Sequence, residues 1–445
     1  MVEITGRDHT FCDGLRRREF VRAGFLGVAG LTLADLFRLE QAQAEQGRPV
    51  RDNKSVILIW MHGGPSQLDT FDLKPDATDK VRGPYQPIST NLPGVQVSEL
   101  LPRTATIMDK VTIHRCMTTP NNEHWSAARW FLTGYLTLAD PRMPKWPAMG
   151  SIAAKVLGAK QPGVPPYIVM NDGGFGHHGA HYLGNQHSPL RVGKEGFGNE
   201  AGLTGVIAID EKELLPNATV ARLEQRKHLL SQLDTLRRDF DRRLDGAHAS
   251  QQKAFDLLLG PQARSAFDVD QESAATRELY GDRWGRDALL ARRLVEHGAR
   301  FVTCNTGYWD DHGNLKRALD RKLPIQDRMW HALLTDLDQR GMLEDTLVIA
   351  AGEFGRTPQI NDGAGRDHWG PTQSILIAGG KYRHGQVIGR TDATAAYPVD
   401  QQIKPEDLCA LVYHHLGLDT ELTFEDHSGR PTHVLHGGVV PRELL

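Results

Sequence analysis

Cysteine is scarce in this sequence, and its few cysteines are not spaced for a shared task. Cys12, Cys116, Cys304 and Cys409 are the four among 445 residues, and no two of them form a C-x-x-C pair. Thiolate zinc sites and disulfide scaffolds depend on such close spacing. The pattern therefore argues against both kinds of site.

The chain also lacks an excess of either charge and any long apolar run. It has 52 Lys and Arg residues against 55 Asp and Glu residues, which gives a formal net charge of -3. Nucleic-acid-binding domains are usually basic, so no nucleic-acid partner is expected. No stretch reaches the roughly 18 apolar residues of a membrane-spanning helix, so no stable membrane span is expected.

The N-terminus carries the pattern of a twin-arginine export signal over residues 1–44. Arg16 to Arg18 precede a mildly apolar run at 23–37, and Ala42 and Ala44 supply small residues for cleavage. We therefore expect the twin-arginine export machinery to deliver the protein to the periplasm or cell surface. The alternative is a basic amphipathic helix on a cytoplasmic protein.

From residue 54 to 445, strand-like and helix-like patterns alternate along most of the chain. "KSVILIWMHGG" is a continuous apolar run of the kind that forms a buried parallel strand. Further strands are predicted at "KVTIHRC", "PPYIVMN", "ARFVTCN", "TLVIAA" and "QSILIAGG". The alternation predicts an α/β fold with a mostly parallel central sheet flanked by helices, and a helical insertion around 217–259.

Polar side chains follow these predicted strands, at the edge where α/β sheets bind their ligands. His, Asp and Glu are the side chains that hold zinc, and the carboxylates also suit calcium, magnesium or manganese. We therefore predict divalent metal ions as cofactors. The predicted ligands are His62, Asp69, Asp310, Asp311, His312, Glu353, Asp367 and His368. Each group taken alone fits an ordinary solvated turn or salt-bridged loop equally well.

The stretch "TTPNNEHWSAARWFLTGY", which begins at Thr118, places hydroxyls before a predicted helix. The first turn of a helix favours a bound anion, so Thr118 or Thr119 would lie where a phosphate or sulfate binds. Arg115 or Arg356 would add a bidentate contact to that anion. The alternative is that Thr119 or Asn121 merely caps the helix. From the residues alone, the cap is favoured.

A resemblance to a known family favours the interpretation of Thr118 as a functional residue over that of a helix cap. "T-x-P-N" at Thr118 to Asn121, followed by "LTGYLT" at 132–137, resembles the nucleophile loop of the alkaline phosphatase superfamily. The chain from about residue 54 resembles more closely the sulfatase-like family called domain of unknown function 1501. The motifs of this resemblance are "MHGGPSQLDTFDLKP", "RCMTTPNNEHWSAARWFLTG", "GYWDDHGN", "GEFGRTPQIN" and "GRDHWGP", with the twin-arginine leader. It implies an alkaline phosphatase-like fold and hydrolase-type metal chemistry, with Thr118 at the nucleophile position.

The sequence departs from the superfamily pattern at three places. His62 stands where the first strand usually ends in a metal-binding Asp, and Phe354 follows Glu353 where Asp-His is common. The Cys that sulfatases convert to formylglycine is absent. His124 has no counterpart in the superfamily pattern. Our candidate catalytic residues are Thr118, His124 and Arg356, and our candidate substrate contacts are Arg115, Asn122, His178 and His181.

Two functions follow as hypotheses. The first is an exported metal-dependent hydrolase of phosphate or sulfate esters, acting on a small-molecule or glycan ester beneath the Gly/His loop at 173–188. The second is a catalytically inactive sulfatase-like protein that binds anionic polysaccharide or serves at the cell surface. The departures at Phe354 and at the formylglycine position favour the second.

Overall fold

The computed structural model describes residues 53–136, 146–161, 163–172, 178–193 and 261–445. The described residues from Lys54 onward belong to one compact unit. The predicted export signal at 1–44 and the predicted helical insertion at 217–259 lie outside the described residues.

An eight-stranded sheet is the centre of the described part of the chain. Its strands are β1 (Ser55–Trp60), β2 (Val111–Met117), β3 (Tyr167–Met170), β4 (Leu190–Val192), β5 (Phe301–Asn305), β6 (Thr346–Ala351), β7 (Gln373–Ala378) and β8 (Gln386–Ile388). Their order across the sheet is β8-β2-β7-β6-β1-β5-β3-β4. β7 runs antiparallel to both of its neighbours, and the other pairings are parallel.

The central position of β1 follows from its composition. All six residues of β1 are buried, as are all six of its neighbour β6, because helices cover both faces of the sheet. Trp60 pairs with Asn305 of β5 and with Ala351 of β6. The three strands therefore end in register, and the segments that follow them leave the sheet at the same edge.

Helices pack on both faces of this sheet. In the described ranges they are α1 (Asp79–Arg82), α2 (His124–Thr133), α3 (Met149–Val156), α4 (Pro261–Phe267), α5 (Ala274–Tyr280), α6 (Trp284–Glu296), α7 (Leu315–Gln339) and α8 (Pro405–Leu416). Ile57 and Ile59 of β1 belong to the core that contains α6 and α7. Val56 and Leu58 point the other way, into the core that contains α2, α3 and α8. The alternation of side chains along the strand thus supplies two cores.

Four short two-stranded ribbons surround the sheet. They pair Pro87–Ser89 with Gln96–Ser98, Gly355–Arg356 with His368–Trp369, Arg390–Thr391 with Pro398–Asp400, and Thr423–Glu425 with Pro431–His433. The second ribbon sets His368 directly opposite Arg356. No helix among the described residues is long and apolar enough to cross a membrane.

The predicted α/β class with a mostly parallel sheet is confirmed. Each predicted strand and the predicted helix after Thr118 are present, and that helix ends at Gly134, whose left-handed φ of 76° favours glycine. The antiparallel direction of β7 was not predicted. The edge strands β4 and β8, of three residues each, were also not predicted because they carry too few residues for a periodic signal.

Candidate metal centre

Polar side chains gather where β1, β5 and β6 end and where β7 begins. His62 lies two residues beyond β1, Asp310 five beyond β5, and Glu353 two beyond β6. His368 lies five residues before β7, which enters the sheet from this same edge because of its reversed direction. His124 joins them from the first position of α2. The sheet edge therefore assembles histidines and carboxylates from five separate segments.

His62, His124 and Glu353 form the first of two groups whose side-chain ligand atoms lie within 4.8 Å of one another. Oε1 of Glu353 is 2.5 Å from Nδ1 of His124 and 3.7 Å from Nδ1 of His62. The backbone N–H of Gly63 donates to both carboxylate oxygens of Glu353, at 2.9 and 3.1 Å. Glu353 is fully buried. This group thus holds a buried carboxylate between two imidazoles.

The charges of the first group favour an ionised Glu353. Burial alone would raise the pKa of Glu353, but its electrostatic interaction with His62 and its hydrogen bond and electrostatic interaction with His124 hold that pKa below its usual value. Burial lowers the pKa of His62, which favours the neutral imidazole that a metal requires. An anionic oxygen and a neutral nitrogen are therefore available side by side.

His124, Asp310 and His368 form the second group, again with ligand atoms within 4.8 Å of one another. Nε2 of His124 is 3.3 Å from Oδ2 of Asp310, and Nε2 of His368 is 2.9 Å from Oδ1. Burial would raise the pKa of Asp310, but hydrogen bonds from the two histidines and the charge of Arg356 hold that pKa far below its usual range. Burial would lower the pKa of His124, yet its bonds to Asp310 and Glu353 raise it to about 9.

His312 and His368 meet at one carboxylate oxygen of Asp310. Nδ1 of His368 faces the carbonyl oxygen of Asn122 at 2.8 Å, and Nδ1 of His312 faces a carboxylate oxygen of Asp367 at 2.6 Å. Oxygens of this kind only accept, so Nδ1 is the donor in both pairs. The two Nε2 atoms lie 3.0 Å apart and each 2.9 Å from Oδ1 of Asp310. Such a set fits a divalent cation, which would be attracted to all three.

Residues after β2 hold His368 in place. Thr119 donates its N–H to the carbonyl of Gly370 at 2.8 Å, and Gly370 donates its own N–H to Oδ1 of Asn122 at 2.6 Å. Asn122, a predicted substrate contact, therefore anchors the segment that carries His368 and also orients the imidazole. Outer partners of this kind fix the tautomer of a ligand histidine.

Phe354 and Tyr308 are site residues that the sequence reasoning missed. The ring of Phe354 packs against His124 and His368, with centroid distances of 4.9 and 4.6 Å. Tyr308 stacks on His62 at 5.9 Å and donates its hydroxyl to Oδ2 of Asp310 at 3.0 Å. Tyr308 lies in the motif "GYWDDHGN", so its position two residues before Asp310 was the available signal.

Arg356, a predicted catalytic residue, is only 1% exposed and already has many acceptors. Its guanidinium donates to the backbone carbonyls of Gly63, Gly64, Trp309 and Arg366. It also donates to Oδ1 of Asp310 at 2.6 Å. Arg356 therefore positions Asp310 and the turn after β1, and its donors do not point toward a substrate.

Asp69 and Asp311, two predicted ligands, lie outside both groups. Asp69 is fully buried and forms an ion pair at 2.8 Å with Nε of Arg366, which is also fully buried. Asp311 accepts from the ammonium of Lys322 at 2.6 Å and 2.9 Å. A carboxylate neutralised by its own cation is a structural element, so we leave both out of the proposed ligand set.

The helix cap is neither Thr119 nor Asn121. The side chain of Glu123 accepts from the N–H groups of Trp125 and Ser126, so Glu123 occupies the N-cap position of α2. Thr118 is 5% exposed and donates its hydroxyl to the carbonyl of Pro371 at 3.0 Å. A carboxylate thus takes the place at the helix terminus that an anion would use.

The remaining predicted substrate contacts, Arg115, His178 and His181, are not members of either group. Arg115 donates to the carbonyl of Phe71 at 3.0 Å and lies 3.5 Å from Asp72, so it points toward that loop. His178 is buried, lies 3.1 Å from the Tyr167 hydroxyl, and has a pKa that burial lowers to about 4. His181 is half-buried on a 3-10 turn, and burial lowers its pKa to about 4 as well.

Comparisons with known proteins address the family. A search of curated proteins finds no match. Solved structures that resemble the chain include a sulfatase from Pseudoalteromonas sp., with 14% identity and a TM-score of 0.38 over 87% of this chain and 71% of that one. An alkaline phosphatase from the Antarctic bacterium TAB5 has 11% identity and a TM-score of 0.37 over 82% of this chain and 98% of that one. The lipoteichoic acid synthase of Listeria monocytogenes has 10% identity and a TM-score of 0.37 over 83% and 73%.

The sequence model of one family covers most of the chain. It matches residues 53–444, a range that contains the five quoted motifs of the resemblance but not the twin-arginine leader. The predicted family is therefore confirmed, and the chain belongs to the family described as Protein of unknown function (DUF1501).

Proposed function

We propose that the protein is an exported, divalent-metal-dependent hydrolase of phosphate or sulfate esters. The observation that carries the proposal is the pair of histidine–carboxylate groups that share His124 at the carboxyl edge of the sheet. Ligands from separate strand ends, gathered at this edge, are typical of a functional centre in an α/β protein.

The donor set favours zinc or a similar transition metal over calcium and magnesium. Each group offers two imidazoles for one carboxylate, whereas calcium and magnesium are bound mainly by oxygen. His62, His124 and Glu353 would hold a cation in the first group, and His124, Asp310 and His368 in the second. A divalent cation in such a site supplies positive charge that stabilises the negative oxygens of an ester under attack.

Thr118 is the proposed nucleophile because it occupies the position of the matching motif directly after β2. Its hydroxyl oxygen would form the new bond to phosphorus or sulfur as the bond to the alcohol oxygen breaks, and the hydroxyl proton would pass through a base to the leaving alcohol. Water would then attack the modified threonine, release the phosphate or sulfate, and restore the hydroxyl. The hydroxyl donates to the carbonyl of Pro371, so it must give up that acceptor before it can attack. The adjacent residue Thr119 is bonded to Gly370, which ties this loop to the segment of His368.

The second candidate function is binding of anionic polysaccharide without catalysis. The observation that favours it is that the donors of Arg356 and the hydroxyl of Thr118 are engaged by protein carbonyls. A family member that has lost turnover would still present a cationic surface if the centre holds metal.

The test compares turnover in matched variants of the full chain. Zinc-loaded protein is assayed against p-nitrophenyl phosphate and p-nitrophenyl sulfate, and its helical signal is checked by circular dichroism. We expect Asp310→Asn and Thr118→Ala to abolish turnover, and Asp362→Asn, an exposed carboxylate, to retain it. Wild-type turnover in Thr118→Ala would overturn the nucleophile, and no turnover of either ester together with binding of sulfated glycan would favour the second function.

Export is proposed from the leader alone. The test expresses the full chain and a variant with Arg17 and Arg18, the pair followed by Glu19 and Phe20, changed to Lys, and follows each by cell fractionation. We expect the wild type outside the cytoplasm and the variant inside it. Equal distribution of the two would refute the twin-arginine route.

A further inference from the structure

His124 is the residue that the two candidate cation sites have in common. Its Nδ1 faces Glu353 at 2.5 Å, and its Nε2 faces Asp310 at 3.3 Å. The two nitrogens of one ring therefore point into different groups, each completed by another histidine. We infer that His124 bridges two divalent cations through its two ring nitrogens. This inference rests on the metal centre of the proposed function and goes beyond it.

The ring is held so that both nitrogens stay in place. Its centroid lies 4.9 Å from that of Phe354 and 4.2 Å from that of His368, with the latter ring at 73°. Its backbone is the first residue of α2, directly after the N-cap Glu123. A half-turn of the ring about its Cβ–Cγ bond would put Cδ2 in the place of Nδ1 and Cε1 in the place of Nε2. The bridge therefore requires the ring orientation of the structure, in which Nδ1 faces Glu353 and Nε2 faces Asp310.

Each side of the ring has its own complement of donors. The first side offers Glu353, fully buried and fixed by the N–H of Gly63, together with His62. The second side offers Asp310 and Nε2 of His368. Each cation would thus have three protein ligands, as in catalytic zinc sites, and His312 lies beside the second group as a further imidazole.

The charges allow this arrangement. Each cation position has one carboxylate of its own, and both ring protons of His124 would be displaced when both cations bind. The bridging ring then becomes a third negative charge between two positive ones. Because a ring would lie between them, the two cations would be farther apart than the roughly 4 Å that is usual in two-metal hydrolases.

His312 marks the second side as the more open one. Its Nε2 lies 2.9 Å from Oδ1 of Asp310, but its side chain is 44% exposed, whereas His62 on the first side is 4% exposed. We therefore expect a chelator to remove the cation on the Asp310 side first. The cation on the Glu353 side should leave more slowly.

The experiment counts cations on the full-length chain. The protein is loaded with zinc, freed of excess metal, and measured by elemental analysis. We expect about two zinc ions per chain in the wild type and in Asp362→Asn. Glu353→Gln and Asp310→Asn should each keep one, and His124→Ala should keep none. Circular dichroism identifies any variant that fails to fold.

A second measurement needs no variant. Wild-type protein loaded with copper(II) is examined by electron paramagnetic resonance, because a bridging imidazole couples the spins of two copper ions. We expect a spin signal well below that of the copper measured by elemental analysis. One cation per wild-type chain, a full uncoupled copper signal from two ions, or two zinc ions retained in His124→Ala would each overturn the bridge.

These outcomes are separate from those of the turnover test. A protein that holds two coupled cations but hydrolyses neither ester would support the bridge and oppose the hydrolase. A protein that hydrolyses esters with one cation would do the reverse.

Discussion

Asp287 is a buried carboxylate on α6 that should make stability depend on pH. It is 1% exposed, and one of its oxygens accepts from Nδ2 of Asn171 at 3.1 Å. Its other oxygen has no hydrogen-bond partner among the described residues. Burial raises the pKa of Asp287 to about 7, although the bond from Asn171 and the charge of Arg286 oppose the shift.

The direction of the pH dependence follows from which state, folded or unfolded, keeps the proton on Asp287. Between pH 3.8 and about 7 the folded protein keeps a proton on Asp287 that the unfolded chain has lost. Stability must therefore fall as pH rises through this window. The interval from 3.8 to 7, at about 1.4 kcal/mol for each pH unit, gives a cost of roughly 4 kcal/mol by pH 8.

Asp287→Asn removes this cost, because a neutral amide of the same shape can still accept from Asn171. We expect the variant to be more stable than the wild type by up to about 4 kcal/mol at pH 8, and nearly equal to it at pH 4. The assay is urea unfolding followed by circular dichroism at both pH values. Asp282→Asn, an exposed carboxylate just before α6, is the control and should change little at either pH. A variant less stable than the wild type at pH 8, or a difference that does not vary with pH, would refute the reasoning.

Two further predictions concern residues around the centre. Asp69→Asn leaves the buried guanidinium of Arg366 without its counter-ion. The free energy of unfolding should therefore fall by about 3–5 kcal/mol, while the zinc content is unchanged. Loss of zinc at full stability would show that Asp69 is a ligand. Gly63→Ala would place a Cβ 2.5 Å from the backbone nitrogen of Asp310 at a φ of +103°, so zinc binding should be lost. Gly94→Ala, at a φ of +79° in open space, carries the backbone strain without the clash and should keep its zinc; equal losses in both would rule out the clash as the cause.

Most of the fold could be predicted from the sequence because buried strands and helices carry recognisable patterns of apolar residues. β1 and β6 each carry five consecutive apolar residues after a Ser or a Thr, and such a run is typical of a strand that is covered on both faces. The helix after Asn122 was predicted from its apolar spacing and its terminal Gly134. The direction of β7 has no such signal, since the short apolar run at 375–378 looks the same in either orientation.

The sequence predicted a set of candidate residues for the centre, but not which of them lie together. Asp69 and Glu353 have the same chemistry and both follow buried strands, yet one meets Arg366 and the other meets His124. The partners of Asp69 and Glu353 lie 297 and 229 positions away along the chain. Which carboxylate is neutralised by an arginine and which is left for a cation depends on those distant contacts, so it cannot be read from local pattern.

The helix after β2 shows that local sequence also leaves the choice between neighbouring residues open. Thr119, Asn121 and Glu123 all precede α2, and all three types can cap a helix. Glu123 takes the position because Asn121 instead accepts the N–H of Glu123 and donates to Ser126. This local competition sets His124 at the first helical residue, where its ring reaches both carboxylates.

The reversed direction of β7 has a consequence for how this centre can change. β6 ends at the site edge and β7 begins there, so the chain between them never has to travel to the far side of the sheet. Residues 352–372 form one continuous excursion that leaves and re-enters the sheet beside the site. This single stretch carries Glu353, Arg356 and His368, one member of each histidine–carboxylate group and the arginine that fixes Asp310. Replacing it would exchange members of both groups while leaving the strands untouched, so one interchangeable segment would change both proposed cation sites.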